Sequence, residues 1–207
     1  MYKIFIKRIL SIILSFVGLP FFAVIYIVIA PLIVKEDKGP VFYNAPRLGR
    51  NGKIFKMYKF RSMKVNAPDL RNEDGTTYNA EDDPRVTKIG KVLRKTSLDE
   101  TPQLLNVLKG DMAFIGPRPD LPAALSKLSE FEKKKLSVLP GITGYSQAYH
   151  RNLIEIHERY KEDVFYAENL SFALDIKVFL QTIKTVILHR GIYREEKGHT
   201  IHIAEER

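Results

Sequence analysis

The 207-residue chain has no cysteine, which excludes disulfides, thiol catalysis and cysteine metal centres and is compatible with a reducing compartment. Any metal must then be held by oxygen or histidine. His150 and His157 are too far apart for one helical face and have no acid at metal-ligand spacing, so surface or core roles are expected of them. No internal repeat or low-complexity tract occurs, and the length suits one ordinary domain with a short appendage. Charge is missing from residues 9–34, ILSIILSFVGLPFFAVIYIVIAPLIV. A run of this length can enter a bilayer, whose apolar core needs about 20 helical residues. It is too long for the apolar core of a cleaved signal peptide.

Both flanks of that run are basic. Lys3, Lys7 and Arg8 precede it, and Arg47, Arg50, Lys53, Lys56, Lys59, Arg61 and Lys64 follow. The positive-inside rule places both flanks in the cytoplasm. A helix broken near its middle, entering and leaving by one face, satisfies both. Pro20, close to Gly18, is the natural break, because proline removes a helix hydrogen bond and crowds the preceding turn. An ordinary span with Pro20 as a tolerated kink is the alternative. The composition shift at Lys35-Glu36-Asp37-Lys38-Gly39-Pro40 divides the chain into a membrane element, 1–38, and a soluble part, 39–207. The net charge of +9 calls for an anionic partner: nucleic acid, an anionic leaflet or a phosphorylated substrate.

Beyond the membrane element, Val41-Phe42-Tyr43 and KIFKMYKF at 53–60 alternate as strands do, with Gly49-Arg50-Asn51-Gly52 as the turn of a hairpin. Residues 64–84 are polar and without periodicity, a long surface loop whose acids Asp69, Glu73, Asp74, Glu81, Asp82 and Asp83 are expected in solvent. Residues 86–93 form a short helix or strand. Residues 121–139 are expected to be helical, with Lys133, Lys134 and Lys135 on a solvated or membrane-facing surface. The pattern predicts a turn at 140–144, a short strand at 145–149 and a helix over 153–168. Residues 170–188 repeat as an amphipathic helix packed on the core or lying in the interface.

The chemistry-bearing stretch is residues 95–119, KTSLDETPQLLNVLKGDMAFIGPRP. Asp99 and Glu100 stand where Thr101 can cap a helix that has Pro102 at its first position and Leu104, Leu105 and Leu108 as its apolar stripe. Carboxylates at a helix N-terminus can share a small volume with a phosphate and its metal ion. A plainer reading makes Ser97-Leu98-Asp99-Glu100 a capping box, with no chemistry attached.

Several stretches together resemble a known family. They are Lys7-Arg8, GPVF at 39–42, RLGRNGKIFKMYKFRSM at 47–63, DDPRVTKIGKVLRKTSLDE at 82–100, PQLLNVLKGDMAFIGPRP at 102–119, PGITG at 140–144 and Arg151-Asn152. In this order they resemble the bacterial sugar transferases, the small monotopic phosphoglycosyl transferase family, over nearly the whole chain. The resemblance implies transfer of a sugar 1-phosphate from a nucleoside diphosphate sugar, usually a UDP-sugar, to polyprenyl (undecaprenyl) phosphate. It places the enzyme among membrane lipids on the cytoplasmic face of the bacterial inner membrane, with Mg2+ as cofactor, at the first step of glycoconjugate assembly.

Carried over by residue, Asp99 would be the nucleophile that forms a phosphosugar-enzyme and expels UMP, and Glu100 would assist the second displacement. Asp99 would also contact the metal, and Arg94, Arg118 and Arg151 would bind phosphate. The implied architecture is α+β and mostly helical, with a small β-hairpin or sheet, a re-entrant membrane helix and interfacial amphipathic helices. Departures from the family pattern include Ser11 in place of aspartate, a proline about one turn early at Pro20, Thr101 in place of leucine, and the segment 145–150. Rival readings are a membrane-tethered nucleic-acid binder resting on the basic hairpin and a catalytically silent scaffold. The family reading expects no nucleic acid and leaves a homo-oligomer open.

Overall fold

The computed structural model describes residues 2–71, 78–151, 153–188 and 202–203. A π-helical turn, Tyr2–Ile6, leads into α1, Lys7–Asp37. At 1.5 Å per residue α1 is about 46 Å long. It is the one helix among the described residues long and apolar enough to cross a membrane. Lys7, Ser11 and Ser15 toward its start and Ile25, Ile29 and Ile33 toward its end are buried on one face, with none buried between them. The opposite face leaves Phe16, Val17, Phe21, Val24 and Ile27 exposed. Helical geometry continues through both Pro20 and Pro31, so Pro20 does not divide α1 into two helices. Proline costs one hydrogen bond there without ending the helix.

Both ends of α1 are tied to the rest of the chain. At the start, the Lys7 ammonium donates to the Tyr166 hydroxyl at 2.8 Å and to Asp175 at 2.5 Å. Tyr2 donates to the same carboxylate. At the far end Arg61 holds Asp37 through both of its carboxylate oxygens.

Strands β1, Phe42–Leu48, and β2, Ile54–Phe60, pair antiparallel from Phe42 with Phe60 to Leu48 with Ile54. The turn between them uses left-handed conformations at Asn51 and Gly52, as the Asn-Gly pair allows. The hairpin docks on α1 through Phe60, which joins Ile25, Ile29, Ile33 and Leu93 in one core cluster. Next come β3, Leu70–Arg71, then α2, Lys88–Thr96, a 3-10 turn, Leu98–Glu100, and α3, Gln103–Lys109. Strand β4, Ala113–Ile115, lies parallel to β5, Gly141–Thr143. The short α4, Glu130–Lys133, falls between them, and α5, Tyr145–Tyr149, α6, Ile156–Glu168, and α7, Phe172–Ile187, follow. Strand β6, His202–Ile203, pairs with β3. A second core gathers Ile115, Ala148, Tyr166, Leu170 and Val178.

Several local expectations are corrected. Residues 121–139 are not one helix: Pro122 starts a single 3-10 turn, and Ser129 with Glu132 forms a capping box that begins α4 afresh. Lys135 is buried, because Asp120 and Asp163 pair with it inside the fold. Residues 141–143 are a strand, not a turn, and backbone contact makes it so: a Cβ on Gly141 would lie 2.1 Å from the Gly116 nitrogen. The segment expected to be a strand at 145–149 is helical, and Tyr145 and Tyr149, four residues apart, put their rings 4.8 Å from each other on one face. In the 64–84 segment Asp83 is buried, held by Arg85 at 2.7 Å. Glu73 and Asp74 lie outside the described residues. The amphipathic helix at 170–188 is α7, and His150 and His157 pair at the surface with Glu162 and Glu132.

Candidate active site

The acid pair sits in the 3-10 turn that joins α2 to α3. Ser97 closes α2 in the left-handed region, φ 59°, which reverses the chain and presents Asp99 and Glu100 between two helix ends. Neither acid is a cap. No side-chain capping bond starts the turn or α3, Pro102 occupies the N-cap position, and the Thr101 hydroxyl donates to the Leu98 carbonyl at 2.8 Å. Of the expected stripe, Leu104 is buried but Leu105 is exposed. Val107 and Asn106 take the inner face with Leu104 because they meet β2.

Asn106 fixes that meeting: its amide donates to the Lys56 carbonyl at 2.8 Å, and its oxygen accepts from the Tyr58 backbone at 2.9 Å. The next strand residue, Lys59, thereby reaches the acids, with its ammonium 3.1 Å from Asp99 Oδ2 and 2.9 Å from Glu100 Oε1. Sequence reasoning counted Lys59 only as flanking charge. Its signal was a lysine set between aromatic residues, Tyr58 and Phe60, in a strand. Asn106 and Lys135, which position the site from behind, left no comparable signal.

The three expected arginines converge on this turn. Arg94, in the last turn of α2, donates through Nε to Ser62 at 3.0 Å and through Nη1 to Asn79 at 3.3 Å, and its charge favours ionised Asp99. Arg118, braced by Pro117 and Pro119, places Nη1 3.8 Å from Glu100 Oε1. Its carbonyl accepts from Lys135. Arg151 donates to the Ser97 hydroxyl at 2.7 Å and is felt electrostatically by both acids. Its motif neighbour Asn152 is outside the described residues. Four cationic side chains therefore stand around the two carboxylates.

The acids respond in opposite directions. Burial pushes the Asp99 carboxyl above its ordinary range, and the Lys59 ammonium only partly offsets this. Burial also opposes ionisation of Glu100, but there Lys59 and Arg118 prevail and hold the carboxyl below its ordinary range. Lys59 itself is raised: burial disfavours its charge, and the two carboxylates outweigh it. Adjacent carboxylates with opposed shifts can take different roles in one reaction.

Among the described residues no group of three or more His, Asp or Glu side chains could hold a metal ion. Asp99 and Glu100 are carboxylates of the kind magnesium takes one or two of, and in this structure Lys59 holds one oxygen of each and leaves the other for such a ligand.

A sequence model described as bacterial sugar transferase matches residues 2–189. The chain is 44% identical over 193 residues to the galactosyl transferase CpsE of Streptococcus agalactiae serotype III, covering 89% of this chain and 43% of that protein. It is 37% identical over 206 residues to the undecaprenyl-phosphate galactose phosphotransferase of Salmonella typhimurium, covering 91% and 42%. It is 35% identical over 193 residues to the UDP-N-acetylgalactosamine-undecaprenyl-phosphate N-acetylgalactosaminephosphotransferase of Aeromonas hydrophila, covering 90% and 45%. The chain spans less than half the length of these three relatives.

Proposed function

Because the chain belongs to the bacterial sugar transferase family, we propose that it transfers a sugar 1-phosphate from a UDP-sugar to polyprenyl phosphate, through a covalent intermediate on Asp99. One observation carries this reading: an acid pair on a helix-joining turn, Asp99 buried and Glu100 half-buried, bridged by Lys59 and ringed by Arg94, Arg118 and Arg151. The relatives' names supply the substrate classes, since two specify undecaprenyl phosphate and one a UDP-sugar.

In the first step an Asp99 oxygen bonds to the phosphorus that carries the sugar, and the phosphorus–oxygen bond to UMP breaks. In the second, an oxygen of polyprenyl phosphate bonds to that phosphorus and the bond to Asp99 breaks, restoring the carboxylate. Glu100, held ionised by Lys59 and Arg118, takes any proton left on the lipid phosphate. The arginines bind the phosphates as planar forks, and splitting the transfer in two replaces one hard displacement with two easier ones. Asp99, with Glu100 beside it, would hold magnesium, which when bound would neutralise charge on the phosphoryl oxygens.

We place the membrane element at 1–38 and the catalytic part at 39–207, on the cytoplasmic face. Arg8 and Asp37 sit at opposite ends of α1, yet both are bonded to the same folded body. A straight helix of about 46 Å crossing a bilayer core of about 30 Å would carry one of those ends away from that body, which favours the re-entrant disposition. On α7, Phe172, Ile176, Leu180, Ile183 and Ile187 are exposed at helical spacing, as a helix lying in the interface requires.

The test is UMP release from a panel of UDP-sugars with magnesium and polyprenyl phosphate, read with intact-protein mass after brief exposure to the donor. An adduct of sugar-phosphate mass on the wild type is expected. Turnover without any adduct, together with activity retained in Asp99→Asn, would leave direct transfer as the mechanism.

A further inference from the structure

The acid-pair turn is suspended between α2 and α3, and the outer end of each helix is held by a charged side chain from α1. At the start of α2, Glu36 accepts from the Lys88 N–H at 2.6 Å through Oε1 and from the Ile89 N–H at 3.0 Å through Oε2. The Thr87 hydroxyl takes the Gly90 N–H, and the Thr87 N–H itself donates to the Ser62 carbonyl. All four amides that a helix start leaves open are thus satisfied, two of them by a residue 52 and 53 positions away. At the end of α3, Arg8 donates to the Val107 carbonyl at 2.5 Å and the Leu108 carbonyl at 3.1 Å. An acid at a helix start and a base at a helix end both match the helix dipole.

Between these two clamps α1 runs along the whole α2–turn–α3 unit. Leu93 and Leu98 pack on the cluster of Ile25, Ile29 and Ile33, and a Cβ on Gly18 would lie 2.9 Å from Leu104 Cδ1. Helix α1 is therefore a splint, and Asp99 lies between its two points of attachment. Thr87 already caps α2 locally, so what Glu36 adds is a link from α2, and hence from Arg94 at its far end, to the apolar helix.

We infer that Glu36 is a positioning residue: through α2 it sets Arg94, and by way of Arg94 the acid-pair turn, relative to α1, so that seating of the apolar helix and geometry of the site are coupled. The activity arm of its test rests on the transfer reading above; the exchange arm does not.

The experiment compares full-length wild type, Glu36→Ala, Arg94→Lys and the double variant in lipid nanodiscs, by amide hydrogen exchange and by UMP release. Glu36→Ala is expected to speed exchange through residues 97–101 as well as 88–90, and to lower turnover about tenfold, the scale of a small misplacement at a reacting centre. Glu36→Gln keeps one acceptor and recovers part of that loss. In the Arg94→Lys background Glu36→Ala should cost little more, because Glu36 acts through Arg94. Faster exchange confined to residues 88–90 with turnover unchanged, or losses that multiply in the double variant, would overturn the inference. Should the alanine variant fail to fold, Glu36→Gln carries the same comparison. A wild type that releases no UMP counts against the transfer reading alone, and the exchange pattern then decides the role of Glu36.

Discussion

Lys59 and Lys135 each hold two carboxylates, Asp99 with Glu100 and Asp120 with Asp163, yet the surroundings of the two clusters differ. Lys135 lies 2.9 Å from Asp120 and 2.6 Å from Asp163, with its side chain 1% exposed. Arg159 takes the other oxygen of Asp120 and Ser146 the other oxygen of Asp163. Two cations face two anions, and the charge is balanced inside the fold. Around Lys59 two carboxylates face Lys59, Arg94, Arg118 and Arg151, and the Arg118 side chain is 40% exposed. A balanced, sealed cluster holds structure in place, whereas the acid pair lies among four cations and has an open side at Arg118. The difference lies in surroundings and access, not in residue type.

Substitutions in the two clusters should therefore fail in different ways. Asp99→Asn is expected to lower UMP release by about a thousandfold or more while leaving the unfolding midpoint unchanged or raised. The sign follows from the shift: the folded state holds the Asp99 carboxyl above its ordinary range, so at neutral pH its ionised form costs stability that the amide does not. Lys135→Met should do the reverse, leaving two buried carboxylates with Arg159 alone and costing about 3–5 kcal/mol in denaturant unfolding. Activity per folded molecule should fall far less than in Asp99→Asn. An Asp99→Asn variant that unfolds easily but still turns over, or a Lys135→Met variant of wild-type stability, would erase the distinction.

Much of the site was legible before any coordinates, because its acids and arginines sit in short runs whose order carries the family pattern. Helix α1 was legible from its lack of charge, and the hairpin from alternation around Asn51-Gly52. What escaped was set by contacts distant in sequence. Lys59 becomes a site residue only because Asn106, 50 positions from Lys56, registers α3 on β2. Lys135 becomes a core residue only because Asp120 and Asp163 approach from elsewhere. Strands β4 and β5 are three residues each, too short for alternation to declare them. The 145–149 segment sets Tyr145, Ala148 and Tyr149 at i, i+3 and i+4, helical spacing in a run too short to declare a helix. Helix α1 likewise continues through Pro20, where a local rule about proline expects a break.

The smallest expected effect sharpens the comparison with a third buried carboxylate. Asp83 receives the Arg85 guanidinium at 2.9 Å and 2.7 Å, while Arg85 also donates to the Pro68 and Tyr78 carbonyls and so pins the 64–84 segment. Burial opposes ionisation of Asp83, but the Arg85 hydrogen bonds outweigh it and hold the carboxyl below its ordinary range. A depressed folded value means that this contribution is complete above the unfolded value of about 3.9 and is lost as pH falls through the lower folded value. Asp83→Asn should therefore cost about 2 kcal/mol at pH 7, and the gap from wild type should narrow as unfolding is measured at progressively more acid pH. Asp99→Asn should show the opposite sign at neutral pH, since burial there disfavours the charge that Asp83 retains. If both substitutions shift stability in the same direction at pH 7, the contrast drawn for the acid pair fails, because Asp99 would then behave as an ordinary paired carboxylate like Asp83.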